Sequence, residues 1–584
     1  MDYNKEDTKG VTQHWMVFLL GLVSLLLLFW GLGRRDLWGS EGRWAEITRE
    51  MFLTGDFFHP TIGGEPYFDK PLLTYWLITG VSALTGTLNE WVVRLPSAIF
   101  GFTSIWATVI LGRRLWSVQV GCLAGWLLLT SYGVLFWSRT AAADTENLAA
   151  ITLCILWYWV RRDQPNFKTF LIFYLIAFLG ALTKGLTAVV VPIVAILPDL
   201  VLEKRWKALL RPSHFLALAV ALGIYLTPFV YASMSRPQDY HSSGLGLVFQ
   251  ENILRYFRAF DHEEPFYIYL YAVPLLVLPW APLLVTSLIG LLPIWKDLDK
   301  RTRWLIAATA MIFLFFTLSD SRRKYYILPI TPLCALLMAV FLLHVIHDRA
   351  ILARRWGMKI QKYVCMGVIG FEIVLPFILL ILKMRNSFGF FVELGVSGVI
   401  VGGAAWFVKV IADKQSQGNH WPTHDVRPIA GLIATAVIIF GGFFFWQQPA
   451  VDNFRTERSF IEEVKSQTNG WPAAHIGFFP KNDAKLLFYL DKSEPTLILK
   501  NPSDWDQFLS DGQPKLLIMQ SKYGSRVPPD YAAILRKQPD IAEKTEPWDS
   551  TSSRKNKWVA WFLNNERNQV SLNAIDKDQI SNAN

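Results

Sequence analysis

The ionisable residues of this 584-residue chain gather in a few short stretches. The stretch LWGSEGRWAEITREM (37–51) carries Glu41, Arg43, Glu46, Arg49 and Glu50, and Asp69 and Lys70 follow in GEPYFDKPLLTYW. Asp144 and Glu146 lie in TAAADTENLAAITL, and Lys184 stands before Gly185. A later segment holds Glu251, Arg255, Arg258, Asp261, His262, Glu263 and Glu264, and Arg322, Arg323 and Lys324 open RRKYYILP. The set supplies carboxylates for general base work. It also supplies an Asp/His pair able to hold a divalent cation, and several Arg/Lys that can bind a phosphate.

Each residue also has a plainer reading. Trp38, Trp44, Ile47 and Met51 recur at helical spacing, so Glu46 and Glu50 are expected on the solvated face of an interfacial helix. Arg322 to Lys324 can snorkel to lipid headgroups, and His262 among acids can be a surface histidine. Asp144 resists such a reading, because its neighbours are small and apolar and a span-end acid needs a partner.

The elements that position these groups follow from hydropathy. The chain is 52% hydrophobic and 18% charged, against roughly 25% charged for soluble domains, and its mean hydropathy is +0.29. Thirteen apolar runs approach the ~20 residues that cross a bilayer: 15–32, 91–111, 119–137, 146–160, 169–183, 186–202, 213–232, 266–292, 304–318, 325–346, 363–382, 389–408 and 428–446. The first lacks a cleavage signature and reads as a retained anchor. All four cysteines fall inside apolar runs and read as buried hydrophobes, not as disulfide partners or metal ligands. With the N-terminus in the cytoplasm, the short inside loops hold 21 Lys/Arg and the short outside loops 7, the asymmetry expected of that orientation. The net charge of +10 then points to orientation and anionic headgroups, not to nucleic acid.

On this topology every stretch that opens the argument falls on the outer face, in or beside the long loops 33–90 and 233–265. That suits a substrate carrying an anionic phosphate on a lipid tail. The membrane domain is expected over 1–446. Beyond it the strand-like runs AAHIGFF, TLILK, KLLIMQ and KWVAWFL alternate with helix-like NDAKLLFYL and SDWDQFL, the latter with Ser503 as N-cap. They predict a small extramembrane α/β domain over 451–565, followed by a disordered tail, 566–584.

The chain resembles the bacterial aminoarabinose and mannosyl transferases of the GT-C class, glycosyltransferase families 39 and 83. The resemblance rests on SEGRWAEITREMFLTGDFFHP, GEPYFDKPLLTYW, VVRLPSAIFG, LGRRLW, LTKGLTAVVVPIVAILPDL, KRWK, ENILRYF, HEEPFYIYL, LPWAPLL and RRKYYILPITPLCALL, in family order across about 37–335. It implies a polytopic α-helical GT-C fold with about thirteen membrane helices and periplasmic juxtamembrane helices. It further implies inverting transfer of one sugar from a polyprenyl-phosphate carrier, undecaprenyl in bacteria, on the periplasmic face of the inner membrane. The acceptor is a lipid, a glycan or a protein, and the enzyme is expected to be a monomer. Arg43 and Lys70 would contact the donor phosphate, with Arg323, Lys324 and Tyr326 lining the donor site. Asp69, where the family usually has Glu, and His262 would bind a divalent metal (Zn, Mg or Mn). Glu41 and Asp144 are the candidate catalytic acids, and Lys184 and Glu251 are secondary candidates.

One departure stands out. The family pairs two acids before its Gly/Thr-Arg-Tyr, whereas this chain has Ser40-Glu41. A serine hydroxyl is a poor base at neutral pH. Glu41 or Asp144 would take the role, or the acceptor is already anionic, or the chain is inactive. The competing classes are a lipid or sugar transporter or flippase, and an oligosaccharide ligase or polymerase of the same class. A transporter would carry charges near the bilayer midplane on broken helices, where the spans here are nearly uncharged.

Overall fold

A computed structural model describes residues 3–67, 69–235, 246, 254–257, 264–381, 388–415, 427–454, 457–544 and 551–563. The chain packs as two compact units, one of residues 1–35 and 68–451, the other of 36–67 and 452–584. The expected boundary at 446–451 is therefore joined by a second one. Residues 36–67, read from the sequence as part of the membrane domain, pack with the C-terminal unit.

The first unit is helical. It contains α1 (Tyr3–Phe29), α3 (Leu73–Thr85), α4 (Glu90–Leu115), α5 (Val118–Leu129), α6 (Tyr132–Ser138), α7 (Asp144–Arg161), α8 (Phe167–Lys184), α9 (Thr187–Leu202) and α10 (Pro212–Ser235), then further helices to residue 451. Each of the thirteen apolar runs falls on a helix or on helices bent at a short break. By length and composition, five described helices can cross a membrane alone, and up to eight spans result if each bent pair counts as one. The run 119–137 bends by 66° between α5 and α6, and 266–292 bends by 115°. Helix α3, 13 mostly apolar residues, lies inside what the sequence suggested was one long loop.

Close packing in this unit rests on small residues. Arg94, Ser97, Gly101, Ser104 and Thr108 recur at heptad spacing along α4, and four of them are buried polar side chains. A Cβ on Gly101 would lie 2.1 Å from Ser138 Oγ, and one on Gly112 would lie 2.7 Å from Gly121 Cα. Lipid gives helices little hydrophobic reason to associate, so small residues that let backbones touch supply the packing energy. In the turn just beyond α1, Arg94 donates to the Leu32 and Arg35 carbonyls (2.6 and 2.8 Å). Arg139 donates to those of Leu27 and Trp30 (2.7 and 2.9 Å). Arg139 thus satisfies an orphan carbonyl at the negative end of the helix dipole, and Arg94 satisfies carbonyls of the turn that follows the helix.

The second unit is built on a five-stranded sheet of order β4-β3-β5-β7-β6: β3 (Ile476–Phe479), β4 (Leu497–Ile498), β5 (Lys515–Gln520), β6 (Ile541–Ala542) and β7 (Trp558–Leu563). Strand β3 runs parallel to β4 and β5, and β7 runs antiparallel to β5 and β6. One face buries Phe478, Leu516 and Ile518 with Leu486 and Leu490; the other buries Phe479, Leu517 and Met519 with Trp505 and Phe508. Helices on both faces explain why these strands read as continuous apolar runs without alternation. The helix at 502–509 is capped by Asn501, not Ser503. Pro502 takes its first turn and the Asp504 carboxylate accepts the Asn501 N–H at 2.8 Å, closing the N-terminus two residues earlier than expected.

Helix α2 (Glu41–Thr54) and the hairpin β1 (Thr61–Ile62) and β2 (Glu65–Pro66) belong to this unit. A Cβ on Gly42 would come within 2.5 Å of Lys485 Cβ, so α2 lies directly on the helix Ala484–Leu490. Tyr489 holds the entry of the segment: its Oη accepts the Leu37 N–H at 2.8 Å.

Candidate functional site

In the first unit, α7 and α8 run antiparallel and bring Asp144 and Lys184 together as an ion pair. Asp144 opens α7 and Lys184 closes α8. Each charge therefore sits at the helix end whose dipole favours it. Asp144 is buried, and the Lys184 side chain keeps 20% of its surface open. The ammonium lies 5.2 Å from the Tyr325 ring centroid and 5.0 Å from that of Tyr326, within cation–π range. Trp137 packs on Tyr325 at 4.4 Å, and Arg323 donates to the Tyr325 hydroxyl at 2.8 Å. Next to Asp144, Asn147 accepts from the Thr187 hydroxyl at 3.3 Å. A buried acid, a partly open ammonium and an aromatic wall thus converge at one end of the helix bundle.

Among the other expected residues, Lys324 is exposed, with its ammonium 5.6 Å from the Tyr271 ring. Lys70 folds back onto its neighbour, with Nζ 3.2 Å from the Asp69 carboxylate and 3.1 Å from the Asp69 carbonyl oxygen. His262 and Glu251 lie outside the described residues. Among the described residues no three His, Cys, Asp or Glu side chains group as a metal site, and Asp69 is engaged by an ammonium. The described donors therefore do not make a metal site by themselves.

In the second unit, Ser40 stands at the N-cap position of α2. Glu41 is fully buried and accepts the Trp38 N–H at 2.7 Å, which ties the turn entering the helix. Arg43 donates to the Tyr67 hydroxyl at 2.9 Å and lies against the Trp44 and Tyr67 rings. Glu46 and Glu50 are not the solvated face the sequence suggested. Both are buried. Glu46 meets Arg49 through two hydrogen bonds of 2.8 Å, and Arg49 reaches the Lys492 carbonyl at 2.6 Å. Glu50 gathers the hairpin, accepting from Thr61 Oγ1 and from the Gly63 (2.5 Å) and Gly64 (3.3 Å) N–H groups. The partners that bury this face lie in the hairpin and in residues 452–584, which the local pattern of α2 cannot reveal.

Burial pushes the Glu46 carboxyl up from 4.5 to about 7, with Arg49 offsetting part of that rise. The folded state therefore keeps a proton that the unfolded chain loses above pH 4.5. Stability is greatest below that pH and falls as pH rises towards 7, by a few kcal/mol at most. Glu46→Gln is expected to flatten this slope. Melting temperatures of both proteins between pH 4.5 and 8 check it, and parallel slopes would refute it.

Residues that the sequence reading left without a role, Trp137, Tyr325 and Asn147, complete the surroundings of the Asp144–Lys184 pair. The doublet Tyr325-Tyr326 directly after three cations was the signal available for one of them.

Comparison with known proteins adds a second line. Residues 69–231 match the family model described as dolichyl-phosphate-mannose-protein mannosyltransferase. The chain is 27% identical to the undecaprenyl phosphate-alpha-4-amino-4-deoxy-L-arabinose arabinosyl transferase 2 of Pseudomonas fluorescens, over 79% of its own length and 77% of that protein's. It is 32% identical to the enzyme of Aeromonas salmonicida named as the corresponding arabinosyl transferase, over 60% of its length and 65% of that relative's. Among solved structures, ArnT from Cupriavidus metallidurans bound to undecaprenyl phosphate superimposes with a TM-score of 0.71 at 18% identity, covering 94% of this chain and 98% of that one. Its apo form gives 0.65. At that identity the likeness is one of fold.

Proposed function

We propose that this chain, a GT-C glycosyltransferase of the aminoarabinose-transferase type, moves a single sugar from an undecaprenyl-phosphate carrier to an acceptor on the periplasmic face of the bacterial inner membrane. The observation that carries this reading is the Asp144–Lys184 pair under Tyr325 and Tyr326. It offers a held cation where a lipid phosphate would leave, and a carboxylate beside it. Relatives over most of the chain are named for undecaprenyl-phosphate aminoarabinose, which supports that carrier and makes a 4-amino pentose the first sugar to test.

In the reaction, an acceptor oxygen attacks the anomeric carbon from the face opposite the phosphate, and the bond from that carbon to the phosphate oxygen breaks. The electron pair stays on the lipid phosphate. Lys184, with Arg323, Lys324 and Lys70, offsets the charge that develops there. Cations already held in place need little reorganisation as that charge grows. The aromatic rings hold the Lys184 ammonium by cation–π attraction without neutralising it. As the phosphate engages Lys184, Asp144 is released from its ion pair and accepts the acceptor's proton. Glu41, engaged at the entry of α2, serves to hold that helix. An acceptor that is already anionic would need no proton transfer.

Lys70→Ala, and Asp69→Ala, which removes the carboxylate that holds Lys70 in place, are each expected to abolish transfer in membranes supplied with undecaprenyl-phosphate sugar, assayed by mass spectrometry of the glycosylated product. Wild-type turnover in either variant rejects this assignment. The same preparation in proteoliposomes separates the enzyme from a transporter: carrier moved across the bilayer with no new glycoside would favour the latter.

A further inference from the structure

One buried acid beside this site has no part in the mechanism above. Glu146 is 1% exposed and lies two residues after Asp144 on α7. Its carboxyl oxygens lie 3.3 Å from the Ser97 hydroxyl of α4 and 3.3 Å from that of Thr145. Ser97 is also held by the turn that leads into α7. Its Oγ is 3.0 Å from the Ala142 carbonyl oxygen and 3.3 Å from the Ala142 N–H.

A serine hydroxyl has one proton to give. The shortest of the three contacts is to the Ala142 carbonyl, which can only accept, and the Ser97 proton is assigned to it. Ser97 Oγ then accepts from the Ala142 N–H on one side. To bond it on the other, the carboxyl of Glu146 must itself be the donor, and a carboxyl donates only when protonated. A second negative charge next to the Asp144 carboxylate, shielded from water, would also be costly. On the opposite side of the same turn, Arg35 donates to the Arg139 carbonyl (3.2 Å) and to Thr140 Oγ1 (3.1 Å).

We propose that Glu146 is a neutral carboxylic acid that, through Ser97, clamps the Thr140–Ala143 turn and so positions Asp144 against Lys184. It is a positioning residue, and its link to sugar transfer rests on the function proposed above. The clamp itself is a statement about hydrogen bonds in the folded chain.

Two measurements on the full-length protein test it separately. The first is infrared difference spectroscopy at pH 7 between wild type and Glu146→Gln. A protonated carboxyl C=O band present in wild type and lost in the variant is expected; its absence overturns the proposal whatever the enzyme's activity. The second is transfer kinetics. Glu146→Gln, whose amide donates as the protonated acid does, is expected to keep kcat within about twofold and the same pH profile. Glu146→Ala and Ser97→Ala are expected to lower kcat by about 10- to 100-fold with little change in the KM for the donor. A glutamine variant as impaired as the alanine one, or alanine variants with wild-type kcat, overturn the positioning role. Should Glu146→Ala not fold, Ser97→Ala and Glu146→Gln decide alone. A wild-type protein that shows the band but transfers no sugar refutes the proposed function and leaves the clamp standing.

Discussion

Lys184→Met is expected to lower transfer from undecaprenyl-phosphate sugar by about 10²- to 10³-fold, the usual cost of deleting one fixed charge-stabilising donor. Methionine keeps the length and apolar stem, so α8 should pack as before and only the ammonium is lost. The loss should appear in kcat more than in KM, because charge on the phosphate grows as the glycosidic bond breaks. Lys184→Arg tests geometry. It keeps the charge, but a planar guanidinium fits differently beneath two rings and against one carboxylate, so it should recover only part of the activity. Lys324 gives the contrast. It is exposed to solvent, where a charge is worth less, and Lys324→Met should cost far less than Lys184→Met. Turnover in Lys184→Met equal to wild type would remove the central cation from the mechanism.

The second large effect concerns assembly. A Cβ at Gly121 would lie 2.3 Å from the Val109 carbonyl oxygen and 2.7 Å from the Arg113 amide nitrogen. These are backbone atoms and cannot rotate away. Gly121→Val is therefore expected to cost well beyond the ~1–3 kcal/mol of ordinary overpacking and to leave little monodisperse protein after detergent extraction. Gly223→Val is the control, since a Cβ there meets nothing within 4 Å. Size-exclusion profiles of the two variants at equal expression test this. A normal profile for Gly121→Val would mean that α4 and α5 can part without loss. Because α4 also carries Ser97, this crossing fixes the platform on which the Asp144 turn rests.

Much of this was legible in the sequence. Apolar runs place the helices because a bilayer demands long uninterrupted hydrophobic segments, and Asp144 stands out because its neighbours are small and apolar. Other features depend on partners that no local pattern encodes. The charges of α2 suggest a wet face, yet Arg49 and Glu46 are enclosed by residues near Lys492 and Asp491. Arg94 and Arg139 bond carbonyls of α1 and the residues just after it, partners that their own segments do not announce. The glycines of α4 and α5 carry meaning only once the two helices are known to touch. Lys184 was a secondary candidate because a lone lysine in a two-residue turn has no sequence partner; the fold supplies Asp144, 40 positions earlier.

The make-up of the second unit also sets a schedule for biosynthesis. Arg49 and the Lys492 carbonyl it bonds are 443 positions apart. At ~5–20 residues per second of translation, α2 emerges roughly 20 to 90 seconds before the segment that covers it. During that interval its buried carboxylates, its arginines and the apolar side of the helix have no permanent cover. The newborn chain must hold an unfinished piece of one unit while nearly all of the other is threaded into the bilayer between its halves. Quality-control proteases would find their earliest target there, and a chain that stops short of residue 484 would leave a membrane bundle whose α2 never acquires its partner.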